Sequence, residues 1–158
     1  MNIEIVMKDG GVITAELYPD IAPQTVENFK KLIEENFFDD LIFHRVIKGF
    51  MIQGGGYYGD GSHKSAKAIK GEFTSNGFEN PLKHERGVLS MARTMMPNSA
   101  SSQFFIMHEN APHLDGQYAA FGKVIDGMDI VDRIAETETD YNDEPVIPQV
   151  IETIRIAK

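Results

Sequence analysis

The sequence predicts a mainly β fold, a closed antiparallel barrel with an α-helix plugging each end, and three observations carry that prediction. Short apolar or alternating runs recur along the 158 residues, each bounded by Gly, Asp, Asn or Pro. Helical periodicity appears only twice, early and late, so the order of elements is not the strand–helix series of a parallel sheet. No Pro/Gly/Ser-rich linker, repeat or low-complexity stretch divides the chain, which reads as one domain over residues 1–158. Closing the sheet on itself would remove its exposed edges.

Residues 2–7 alternate polar and apolar, Asp9-Gly10-Gly11 turns, and residues 12–17 alternate again, which is a hairpin of half-buried strands. Pro23 suits the first turn of a helix, where its missing N–H would be unpaired anyway. Val26, Phe29 and Ile33 then recur at helical spacing, Lys30 and Lys31 face outward, and Asn36 closes the end. Strand-like runs follow at 41–47 and 50–53. Residues 54–80, rich in Gly, Ser and Asn, read as a long surface excursion. Further short strands are expected at 88–92, 103–107 and 119–125. Asp126-Gly127-Met128-Asp129 has the form of a helix cap, with Met128, Val131 and Ile134 as the helical stripe behind it. Residues 150–156 alternate as a closing strand.

The formal charge of -9 and pI near 4.9 argue against phosphate-backbone binding and against docking on an anionic membrane. No apolar stretch has transmembrane length, and residues 1–7 lack the basic start and apolar run of a secretory signal. The absence of cysteine excludes disulfides and thiol catalysis. Together these predict a cytoplasmic protein that binds neither nucleic acid nor membrane. His44, His63, His84, His108 and His113 match no zinc spacing, and Gly54-Gly55-Gly56 lacks the Lys and Ser/Thr that follow in a phosphate cradle. The acidic stretch 136–144 reads as a solvated loop. No cofactor and no metal are implied.

The chemistry-bearing run is Phe43-His44-Arg45-Val46-Ile47-Lys48-Gly49-Phe50-Met51-Ile52-Gln53-Gly54-Gly55. It sets a guanidinium and a primary amide among large apolar side chains with no carboxylate inside it. An apolar pocket with convergent hydrogen-bond donors would offset the cost of such a charge in a buried strand. Alternation places Phe43, Arg45 and Ile47 on one face, joined by Met51 and Gln53 if the chain stays extended. Phe50 joins them only if Lys48-Gly49 carries a turn or bulge. His44 falls on the opposite face, as a hydrogen-bonded core residue.

This run resembles the signature of the cyclophilins, the cyclosporin-binding peptidyl-prolyl cis-trans isomerases. The likeness continues in Gly87-Val88-Leu89-Ser90-Met91-Ala92, Ser102-Gln103-Phe104-Phe105-Ile106, Leu114-Asp115-Gly116 and Phe121-Gly122-Lys123-Val124. Met91-Ala92-Arg93-Thr94 with Pro97-Asn98-Ser99-Ala100 is similar to bacterial members. The resemblance implies an eight-stranded barrel capped by two helices, in agreement with the independent reading. It implies a cofactor-free, monomeric isomerase acting on X–Pro bonds of unfolded or flexible proteins, with a proline-binding module that needs no turnover as the alternative. A hydrolase finds no nucleophile motif.

On that resemblance Arg45, Phe50 and Gln53 are the catalytic residues. Arg45 would donate to the prolyl nitrogen lone pair or to the carbonyl that orients it, and Gln53 would hold the substrate backbone or Arg45. Met51, Phe105 and Leu114 would complete the socket that Phe50 begins. Ala92 and Arg93 would pair with the substrate chain mainly through their backbones, and Gln103, His113 and Tyr118 would form the rim. Two departures stand out. His113 occupies the place where the best-known cyclosporin-sensitive members carry Trp, which predicts weakened cyclosporin binding. Met95-Met96 lengthens the loop after Thr94 by about one residue against the animal-type pattern, two flexible apolar side chains at the groove.

Overall fold

The computed structural model describes residues 1–157. Its eight strands are β1 Asn2–Met7, β2 Val12–Leu17, β3 Leu41–Ile47, β4 Met51–Tyr58, β5 Val88–Met91, β6 Phe104–Met107, β7 Ala120–Asp126 and β8 Ile151–Ile156. Its two helices are α1 Pro23–Glu34 and α2 Met128–Ala135. All strand pairs are antiparallel, in the order β3-β4-β6-β5-β7-β2-β1-β8. The barrel is nearly rather than fully closed. Its seam between β3 and β8 is held by the Ile42–Val150 bridge and by the Phe43 N–H donating to Gln149 O at 3.0 Å.

The predicted strand ends lie within a residue of those observed, except in β4. That strand runs on through the three glycines to Tyr58, where a surface excursion was expected. A Cβ on Gly54 would stand 2.6 Å from Ile42 O, and one on Gly56 2.6 Å from the Gln103 side chain. Glycine is therefore what lets β4 lie close against its neighbours, although by composition alone it reads as loop. The rest of the excursion is also fastened. Phe73 is buried in the core, Glu72 is buried beneath α1, and the Asn80 amide donates to Ala120 O at 2.9 Å.

α1 buries Val26, Phe29, Leu32 and Ile33, and Asn36 takes the left-handed conformation (φ 55°) that ends the helix. Ala22 provides no side-chain cap. The carboxylate of Glu72 accepts instead from the Thr25 N–H at 2.7 Å, the Thr25 hydroxyl at 2.8 Å and the Gln24 N–H at 3.2 Å. α2 starts where the Asp126-Gly127-Met128-Asp129 run predicted, but its N-cap is Gly127, with φ 92° and no side-chain cap hydrogen bond. A Cβ at Gly127 would lie 2.3 Å from Val12 O, which explains the glycine.

Inside the barrel, Phe29 packs against Phe38, Phe104 and Phe121 at ring-centroid distances of 4.9, 5.2 and 5.1 Å. A second apolar cluster of Met51, Val88, Phe105, Met107, Ala111, Leu114 and Ala120 lies on the outer face. β5 and β6 are buried on both faces because Leu89, Met91, Phe104 and Ile106 point inward while Val88, Phe105 and Met107 serve this outer cluster. That explains why β6 is apolar throughout rather than alternating, and why β5 is apolar except at Ser90, which is buried against His84.

Candidate active site

A hollow of about 120 Å³ opens over the outer cluster. Met51, Phe105 and Leu114, each buried, form its apolar floor, and Phe50 and Tyr118 stand at its sides. The polar groups around it are Arg45, Gln53, Ala92 and Arg93. Nine of the eleven residues proposed from the sequence therefore line one concavity. The other two lie beside it. Gln103 lines an adjoining hollow of about 300 Å³, and His113 is exposed with its ring 5.9 Å from that of Phe50.

The hairpin of β3 and β4 brings the first group together. Arg45 faces Gln53 and Ile47 faces Met51 across the pair. Between them the turn through Lys48 and Gly49 (φ 81°) returns the chain, with the Phe50 N–H donating to Ile47 O at 2.9 Å. Phe50 thus reaches the hollow by the bend that its parity required. The expected face of Phe43 is corrected. Phe43 pairs with Gly54 and Arg45 with Gln53, so His44 is an extra residue in β3, a bulge that turns Phe43 into the core and Arg45 outward.

Arg45 is exposed rather than buried, so the cost of enclosing its charge never arises. Among the described residues it forms no ion pair. Its guanidinium stays charged at any physiological pH and presents donors in a fixed fork on the wall of an apolar hollow. Gln53 does not hold Arg45; its Nε2 donates to Gln103 Oε1 at 3.0 Å, tying the two hollows together. Arg93 is occupied structurally. Its fork donates to Gln117 O (Nη2, 2.7 Å) and Thr94 O (Nη1, 2.9 Å) and lies 4.6 and 4.8 Å from the ring centroids of Phe73 and Tyr118. The Ala92 N–H is already donated to Gln103 O at 3.0 Å.

His44 is half-buried against Tyr57, at 4.6 Å between rings, and its Nδ1 is buried without a hydrogen-bond partner. The expected hydrogen-bonded core histidine is therefore corrected. Burial, helped by the neighbouring Arg45 and His63 charges, lowers its pKa to about 4 and keeps it neutral. Among the described residues no group of three or more His, Cys, Asp or Glu is placed to hold a metal ion.

Sequence reasoning missed the layer beneath the floor. His84 is buried, stacks on Phe105 at 6.0 Å and meets the edge of Tyr118 at 6.4 Å. Burial pushes its pKa down, so the neutral ring donates from Nδ1 to Asp115 (3.2 Å) and accepts at Nε2 from the Ser90 hydroxyl (2.8 Å). Asp115 also accepts from the His84 N–H at 2.6 Å. The only local sign of this layer was Asp115, inside Leu114-Asp115-Gly116. The contact with His84 spans 31 residues, which no periodicity reports.

Comparison with known proteins agrees with this geometry. The family model for cyclophilin type peptidyl-prolyl cis-trans isomerases matches residues 2–156. Peptidyl-prolyl cis-trans isomerase B of Bacillus subtilis is 48% identical over 123 residues, covering 78% of this chain and 82% of that protein. Its Escherichia coli namesake is 39% identical over 160 residues, covering 94% and 95%. The crystal structure of a Cryptosporidium parvum cyclophilin type peptidyl-prolyl cis-trans isomerase, in the presence of the dipeptide Ala-Pro, superposes with a TM-score of 0.85 at 31% identity, over 100% of this chain and 99% of that one. The chain belongs to the cyclophilin family of peptidyl-prolyl cis-trans isomerases.

Proposed function

We propose that Arg45 carries the isomerase activity of this chain by stabilising a twisted X–Pro amide whose prolyl ring sits in the hollow over Met51, Phe105 and Leu114. A planar amide resists rotation because resonance must be lost, at roughly 18–20 kcal/mol for a general peptide bond. Twisting returns a lone pair to the prolyl nitrogen, and a guanidinium donor reaching that nitrogen, or the carbonyl that orients it, favours the twisted form over both planar ones. Only a preference of this kind raises the rate, at about 1.4 kcal/mol per tenfold. The apolar floor withdraws water from the charge-separated planar amide, which acts in the same direction.

The observation that carries the reading is the exposed Arg45 guanidinium, unpaired among the described residues, on the wall of an apolar hollow that also holds Phe50 and Gln53. Gln53, tied to Gln103, orients the substrate backbone, and the Ala92 carbonyl pairs with it. The ligand named for the Cryptosporidium structure, Ala-Pro, is of the class this hollow would take. The substrates are exposed X–Pro segments of unfolded or flexible proteins, the protein acts as a cytoplasmic monomer of the bacterial type, and no cofactor takes part. The compartment rests on the cysteine-free, acidic sequence, alongside which no helix is long and apolar enough to cross a membrane.

Arg45→Ala tests the assignment in a coupled proline-isomerisation assay. The expected result is a fall in kcat/KM on the order of a hundredfold, with peptide binding retained. An unchanged rate rejects Arg45 as the catalytic group, whereas loss of both rate and binding would make it a binding residue.

A further inference from the structure

Phe50, one side of the hollow, is carried by the turn between β3 and β4, in which Lys48 and Gly49 are exposed. What fastens the turn to the body of the protein is His108, at the end of β6. The Gly49 N–H donates to His108 Nδ1 at 2.8 Å, and the His108 backbone N–H donates to Phe50 O at 2.9 Å. The ring is buried, and its Nε2 lies 3.1 Å from Asp132 Oδ1 on α2. Asp132 is itself gripped by both Nη atoms of Arg86, at 2.8 Å each, and Arg86 also donates to His108 O at 3.0 Å.

This chain of bonds fixes the tautomer. A carboxylate only accepts, so Nε2 carries the proton and Nδ1 is left as the acceptor that Gly49 requires. A second proton on the ring would set an Nδ1–H against the Gly49 N–H, donor facing donor, and the turn would lose its side-chain anchor. The charged groups around the ring are Asp132 on α2, Arg86 ahead of β5, Glu109 next in the chain and Lys48 in the turn. Arg86 neutralises Asp132, whose pKa it holds below the usual carboxylate value, so the carboxylate stays an acceptor as the solution is acidified.

We propose that His108 is a positioning residue for isomerisation, its neutral imidazole fixing the 48–50 turn and so setting Phe50 against the prolyl ring. This rests on the reading of the hollow as the proline site. It gives a reaction that moves no proton a dependence on one.

The test measures kcat and KM on a proline peptide across about pH 5 to 8, the range in which imidazoles titrate, for the wild type, His108→Asn, His108→Leu and Arg45→Ala. Titration of His108 is followed by NMR on the full chain. The wild type is expected to show a single acid limb whose midpoint coincides with the titration of His108. In His108→Asn the amide oxygen stands in for Nδ1, so the limb should vanish while the neutral rate stays within about threefold, a change of less than 1 kcal/mol. His108→Leu should lose about tenfold in kcat/KM at every pH, mostly through KM, because the anchor is gone.

A wild-type rate that stays flat while His108 titrates overturns the proposal, as does a limb persisting in His108→Asn or a wild-type rate in a folded His108→Leu. Should the Leu variant fail to fold, the Asn variant and the NMR midpoint still decide. A fully active Arg45→Ala would instead overturn the reading of the hollow itself, whatever His108 does.

Discussion

At the scale of single residues, Arg45 was the most legible group in the chain because a guanidinium among apolar neighbours demands an account. What the sequence hid was its side of the strand. Strict alternation puts Phe43 and Arg45 on one face, but the bulge at His44 inserts a residue and separates them. A bulge is set by what the partner strand can accommodate, here the Cβ-free Gly54, and so leaves no trace in the local pattern. At His113 the resemblance to cyclosporin-binding cyclophilins implies a departure, His in place of Trp. His113 is exposed beside Phe50 rather than lining the hollow, and it offers less area and no indole N–H. Cyclosporin should therefore inhibit the wild type weakly, and His113→Trp should tighten inhibition by about tenfold, the worth of one good aromatic contact with its hydrogen bond. An inhibition titration decides. Equal inhibition constants for the two proteins would mean that another part of the rim sets cyclosporin affinity.

Elements with a local cause were read correctly, and those with a distant cause were not. The β1–β2 hairpin follows from alternation and a turn, and α1 from Pro23 and its apolar stripe. The start of α1, however, depends on Glu72, whose carboxylate accepts from three donors of the first turn across 47 or 48 residues. That one contact also explains why the segment expected to wander over the surface is fixed, since its Glu72 and Phe73 are buried while Asn80 bonds Glu72 O and Ala120 O. Glu72→Ala leaves buried donors without an acceptor and removes a negative charge from a helix N-terminus, which together cost roughly 2–4 kcal/mol. Glu72→Gln keeps one oxygen and should lose about half as much. Urea unfolding at neutral pH measures both. A loss below about 0.5 kcal/mol in the Ala variant would show that water replaces the carboxylate and that the cap is unimportant.

For the whole molecule, the barrel does two jobs with one sheet. Its inner face packs the phenylalanine core, and the outer face of β4, β5 and β6 supports the apolar floor of the hollow. The apolarity of β6, and of β5 apart from Ser90, is consistent with burial on both sides, but which face served the site was not readable. The same architecture buries imidazoles, and this gives the fold an acid limit. The pKa of His44 is lowered from the ordinary 6.5 to about 4, chiefly by burial, and burial lowers that of His84 as well. The unfolded chain therefore binds these protons more tightly than the native one. Stability is complete above about pH 6.5 and is lost as the pH falls from there toward 4. Asp132 and Asp60, whose values are depressed from 3.8 by Arg86 and Ser62, withdraw their contributions only below that window. His44→Phe keeps a ring on Tyr57, removes the unpartnered Nδ1 and removes one titrating group. Its Tm at pH 7 should equal or exceed the wild-type value, and the fall in Tm between pH 6.5 and 4 should be shallower. Thermal unfolding across that interval separates the possibilities, and a wild-type slope in the variant would move the acid sensitivity of the barrel from His44 to His84 and the layer beneath the floor.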